Sequence, residues 1–144
     1  MKTPTEQYAV VATLNPDAYT ASSRTTDYVN MEFFHQISAI LQAGTLGATG
    51  TLNAKILQAT SSTGAGAVTV AGKAITALTT ADNGKLAIIN LKTEEMNVVG
   101  GFSFAALRVV SVATSDWGAI VLGLNPRYGP ASANDLSDVD EIIA

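Results

Sequence analysis

The chain has 144 residues, enough for one domain that buries roughly two-thirds of its unfolded surface, with 47% hydrophobic residues, only 14% charged residues and a net charge of −4. Its lysines and arginines are scattered, which excludes the clustered cations that nucleic-acid contact requires. No stretch approaches the roughly 20 apolar residues of a membrane-spanning helix, and the absence of cysteine excludes disulfides and thiolate metal sites.

The charge is unevenly placed. Asp135, Asp138, Asp140 and Glu141 sit in the tail with no base among them, so the eight basic residues face eight acidic ones in the rest. A chain this poor in charge must cover itself with Ser, Thr, Asn, Gln and Ala, a surface suited to packing against other proteins. A β domain with a neutral, Thr-rich exterior would share that composition. The start, MKTPTEQYAVVATLNP, has no continuous apolar core and does not read as a secretory signal, so synthesis and use in a cytoplasm are expected.

Apolar runs of five to ten residues, rich in Val, Ile, Thr and aromatics and closed by turn residues, are a strand signature. The first, Tyr8 to Asn15, is expected to stop at Asn15-Pro16-Asp17. Asp27 to Gly44 reads as a short strand followed by a longer one. In Gly50 to Thr60, Leu52, Ala54 and Ile56 share one face, and Asn53 and Lys55 the other. A Gly-rich loop and one or two short strands follow. Asn83-Gly84 then reads as a hairpin turn with both central residues at positive φ, ahead of Leu86 to Leu91. TEEMNVVGG is the one place for a single helical turn.

FSFAALRVVSVAT sets Phe104, Ala106, Arg108, Val110 and Val112 against Ala105, Leu107, Val109 and Ser111. WGAIVLGLN follows after Thr114-Ser115-Asp116, and the two read as adjacent antiparallel strands buried on at least one face. Arg108 is then either exposed or paired with a carboxylate. Seven to nine short strands predict an all-β antiparallel sandwich, jelly-roll-like or Ig-like. The expected organisation is an N-terminal arm with the first strand over 1–25, the sandwich over 26–130, and an acidic tail over 131–144.

No catalytic constellation stands out, and no cofactor or metal is expected. His35, the single histidine, follows Phe33-Phe34 and reads as structural; Glu32 and Asp27 nearby make no ligand spacing. Glu94-Glu95 diverge on either a strand or a helix, so they cannot flank one bond and read as solvated turn residues. GTLGATG and NGKLA lack the spacing of phosphate-binding loops.

The tail SANDLSDVDEIIA invites a short helix capped by Ser132 or Asn134, with Leu136, Val139 and Ile143 on one stripe. A helix of about ten residues forms only if that stripe docks; a frayed tail is the alternative. Upstream, Asn125-Pro126 ends the last core strand, because proline cannot donate to a ladder. Arg127 and Tyr128 lie where the chain leaves the sheet, and such residues are apt interface anchors or else pack locally beneath the tail. Arg127, Tyr128, Leu136, Val139, Ile142 and Ile143 are therefore the candidate interface residues.

TLNAKILQAT, GKAITALT, KLAIINLKTEEM, GFSFAALRVVSVAT and VLGLNPRYGPAS, in that order over roughly residues 50 to 132, resemble the small cement or decoration proteins encoded among the head genes of tailed bacteriophages. The resemblance implies a β-sandwich on the outer surface of the virion shell. Its implied partners are the major capsid protein and further copies of itself, as a dimer or trimer, bridging capsomers against internal DNA pressure. A head-completion, neck or tail-associated phage part fits nearly as well. A carbohydrate-binding sandwich, a different class, would need a planar cluster of Trp and Tyr, and the chain has one Trp.

Overall fold

The structure, a computed structural model, describes residues 1–143. Ten strands follow in chain order: β1 (Tyr8–Tyr19), β2 (Ser22–Thr25), β3 (Val29–Asn30), β4 (Phe34–Leu46), β5 (Thr51–Ala59), β6 (Val68–Ala74), β7 (Leu78–Thr79), β8 (Leu86–Lys92), β9 (Phe104–Val112) and β10 (Ser115–Pro126). Short 3-10 turns at Pro4–Glu6, Thr80–Asp82, Thr93–Glu95 and Ala131–Asn134 punctuate them.

One sheet has the order β1-β10-β4-β8; the other has β2-β9-β5-β6, with β3 added on β9 and β7 on β5. All pairings are antiparallel. β5 pairs with β6, β4 with β8, β2 with β9 and β1 with β10, so the pairs nest around the 60–67 loop. Nested antiparallel pairs rolled into two facing sheets make a jelly roll, which settles the choice between the two sandwich types.

Alternation puts one face of each strand inside. Ile37, Ala39 and Leu41 of β4 meet Leu52, Ala54 and Ile56 of β5, Leu107 and Val109 of β9, and Trp117 and Val121 of β10 in one core. Trp117 lies 4.5 Å from Tyr19, ring centre to ring centre and tilted by 41°. The Arg24 guanidinium lies over the Tyr19 ring, 4.3 Å from its centre.

Several expectations are corrected. β9 and β10 follow one another closely, yet they lie in opposite sheets. β9 is flanked by β2 and β5, and β10 by β1 and β4, so neither has a free edge for the other. β1 does not stop at Asn15 but bulges between Leu14 and Asp17 and resumes to Tyr19; an edge strand tolerates Pro16 at such a bulge. The turn at Asn83-Gly84 has φ −51°, ψ 133° at Asn83 and positive φ only at Gly84, with the Lys85 N–H donating to Asp82 O at 3.0 Å. It is a type II turn between a 3-10 turn and β8. Residues 8–25 are integral to both sheets, so the sandwich begins at β1 and not at residue 26.

The tail holds no α-helix among its described residues. After Ala131–Asn134, Asp135 takes an extended ψ of 145°. Its Oδ1 accepts the Val10 N–H at 2.7 Å, while the Leu136 N–H donates to Val10 O at 2.9 Å. The tail thus covers the outer edge of β1 with two hydrogen bonds that a helix would have withheld.

Candidate functional site

The β1-β10-β4-β8 sheet has a second, outward face, and its register places Thr13, Ile120, Ile40 and Ile88 side by side across all four strands. At about 4.8 Å between strands the row is about 14 Å wide. Leu86 lies one step along β8 from Ile88, and Leu122 one step along β10 from Ile120. Ile88 is 59% exposed, Leu86 57% and Ile120 46%. Single exposed aliphatics are ordinary, whereas here they form a contiguous row on the outward face of an antiparallel sheet.

A groove of ≈ 720 Å³ lies along this face, lined by Ile40, Gly118, Ile120, Pro16, Asp116 and Asp138. Pro16, at the β1 bulge, sits over Gly118: a Cβ built on that glycine would stand 2.9 Å from the proline Cα. The bulge, the absent side chain and the isoleucine floor are therefore one feature. Sequence reading passed over it, although β8 and β10 carry its signal: Leu86/Ile88 and Ile120/Leu122/Leu124 add a second apolar face to strands that needed only one.

The structure separates the six sequence-derived interface residues. Arg127 and Tyr128 lie together at the end where β10 finishes; both are exposed, Tyr128 by 71%. The Arg127 N–H donates to Phe33 O at 2.8 Å, fixing the chain exit, while its side chain borders a hollow of ≈ 400 Å³ with His35, Lys92 and Glu94. Leu136 and Val139 are half-buried on their own molecule; the Leu136 N–H bonds to Val10 O, and the Val139 N–H donates to Leu136 O at 3.1 Å in a local turn. Ile142 and Ile143 are exposed. The expected stripe of Leu136, Val139 and Ile143 does not assemble, because no helix forms to align it.

The other flagged residues have local partners. Arg108 Nε donates to Ser23 Oγ at 2.9 Å across the β2–β9 pair. His35 is exposed, and among the described residues no three His, Asp or Glu side chains group as a metal site. Glu95 is more than a solvated turn residue: it pairs with Lys73 at 2.8 Å and accepts the Lys92 N–H at 2.8 Å. The Lys73 ammonium first, then the Lys92 N–H, holds its carboxyl below the usual glutamate range. The Thr79 N–H and then the Lys85 ammonium do the same for Asp82. Trp117 is fully interior, so the single tryptophan cannot serve as a flat exposed platform for sugar rings.

No family model matches the chain, and no curated protein does. By structure the chain is similar to a chain of infectious bursal disease virus Gt strain (13% identity, TM-score 0.46), covering 87% of this chain and 33% of that one. It is also similar to a chain of Broad Bean Stain Virus (9% identity, TM-score 0.46, 92% of both chains). A third likeness is to a carbohydrate-binding module specific for non-crystalline cellulose (10% identity, TM-score 0.48, 79% of this chain and 73% of that one). The chain spans about a third of the length of the bursal disease virus chains it matches. These likenesses concern the fold.

Proposed function

We propose that the chain is a viral structural protein, and specifically a cement or decoration protein on the outer surface of a tailed-phage shell, bridging neighbouring copies of the major capsid protein. The observation that carries this reading is the isoleucine row across the outward face of the β1-β10-β4-β8 sheet, a broad apolar surface beside a groove on a chain with few charges. Flat, weakly charged surfaces suit repeated lateral contacts, and a closed lattice multiplies contacts that are individually weak. The ordered succession of segments that resembles phage decoration proteins supports the same role. Mechanically, each copy would lay its apolar face across a capsomer boundary and oppose separation under internal pressure.

The test is the copy number of this chain in purified tail-free particles, relative to the major capsid protein, by quantitative mass spectrometry. A ratio near one, or a simple fraction of it, is expected. About six or twelve copies, the count of a symmetric ring, would overturn the cement role in favour of a neck or tail part. Absence from particles would sink both.

A further inference from the structure

The two edges of the β1-β10-β4-β8 sheet are treated differently. β1 is covered at Val10 by Asp135 and Leu136. Among the described residues no strand lies beyond β8. The Ala43 N–H donates to Lys85 O at 2.9 Å, which fixes the phase of the β4–β8 ladder. With that register, Ala87, Ile89 and Leu91 bond to β4, and the N–H and C=O groups of Leu86, Ile88, Asn90 and Lys92 point to the open side. Lys92 verifies the phase independently, since its N–H is taken by Glu95 Oε2 at 2.8 Å. Among the described residues nothing bonds the edge groups of Leu86, Ile88 or Asn90.

This unpaired set is symmetric about Ile88. We infer that β8 pairs antiparallel with β8 of a second copy about a two-fold axis through Ile88, joining two four-stranded sheets into one of eight strands. In that register Leu86 of each copy faces Asn90 of the other, and Ile88 faces Ile88. Each of these three pairs exchanges two hydrogen bonds, so six bonds satisfy every open group from Leu86 to Asn90.

The side chains agree with this occupant. Ile88 against Ile88 is a favourable β-branched cross-strand pair, and it continues the Ile120–Ile40–Ile88 row into the same row of the other copy. No charge lies between Lys85 and Lys92, so no like charges meet from Leu86 to Asn90; Lys92, the lysine at the end of β8, falls opposite Gly84 of the other copy and lies 3.8 Å from Glu94 of its own. The flanking charges are already neutralised within each copy, Lys85 by Asp82 at 3.0 Å and Glu95 by Lys73. One strand pair buries less than the ~800 Å² per partner of a standard interface, so the dimer is weak in dilute solution and gains strength where copies are held close. The pairing stands on the β8 edge alone, whatever the shell reading becomes.

The test exploits the absence of cysteine. In the proposed pair the Ile88 Cα atoms lie about 5.5 Å apart, inside the range of about 4.4–6.8 Å that a disulfide spans. The Ile88→Cys variant should oxidise to a covalent dimer, and the equally surface-placed Ile120→Cys variant, two strands from the edge, should stay monomeric under the same oxidant. Sedimentation of the unmodified protein from low to high micromolar concentration should show a monomer–dimer equilibrium. Ile88→Lys, which sets two ammonium groups face to face, should weaken it about ten-fold or more. Equal cross-linking of both cysteine variants, a chain monomeric throughout, a trimer, or a dimer indifferent to Ile88→Lys would each overturn the proposal.

Discussion

Gly123 and Phe34 occupy one space: a Cβ built on the glycine would stand 2.7 Å from two carbons of the phenylalanine ring. Both lie on the inward side of neighbouring strands, and Phe34 is fully buried. Gly123→Ala should therefore cost about 1–3 kcal/mol through overpacking, read as a lowered midpoint in denaturant. The double variant Gly123→Ala, Phe34→Leu should recover part of the loss. If it recovers nothing, the ring is not what the new methyl meets.

Acid should loosen the seam beside β8. Glu95 has its folded-state pKa lowered by Lys73 first and the Lys92 N–H second. A depressed carboxyl adds stability that is complete above the unfolded-state value and disappears as pH falls through the folded one. Asp82 acts in the same direction through Thr79 and Lys85. Melting temperature should fall from neutral pH to pH about 3, and Glu95→Gln should flatten the fall. An unaltered slope would mean the Glu95 bridge contributes nothing to folding.

A carboxylate at position 120 should separate folding from assembly. Ile120 lies in the outward row, so Ile120→Glu should stay within about 0.5 kcal/mol of the parent stability while abolishing binding to purified shells. Full retention of binding would remove this face from the contact.

Asp135→Ala should free the tail from β1. It deletes the acceptor of the Val10 N–H, a loss of about 1–2 kcal/mol for a hydrogen bond to a charged group in a half-buried setting. Faster hydrogen exchange at Val10 and earlier proteolysis after residue 130 are the expected readouts.

Strand faces were legible in the sequence, and strand partners were not. Leu52, Ala54 and Ile56, and Ala105, Leu107 and Val109, point inward as their period-two pattern requires. The pairing of β1 with β10 is decided by which edges remain free in three dimensions, and alternation carries no record of that. For the same reason Thr114-Ser115-Asp116 read as a turn between neighbouring strands, whereas the chain crosses between sheets at Ala113-Thr114 and Ser115 already belongs to β10. The tail misled differently. Its apolar spacing suited a helix, but Asp135 found a better use for its carboxylate on the open Val10 amide than at a helix start. The outward isoleucines were in plain view as residues; only the register of four strands brings them into one row.

The nesting of the strand pairs also grades the loops that folding must close. β5 and β6 are joined by the short 60–67 loop and can meet as soon as both exist, whereas each pair outside them must close a longer loop. β1 and its partner β10 are separated by the other eight strands, so β1 cannot be seated until all of them have been made. A chain cut short before Ser115 has no partner on which to seat it, and one cut short before Asp135 lacks as well the two bonds that fasten Val10 from outside.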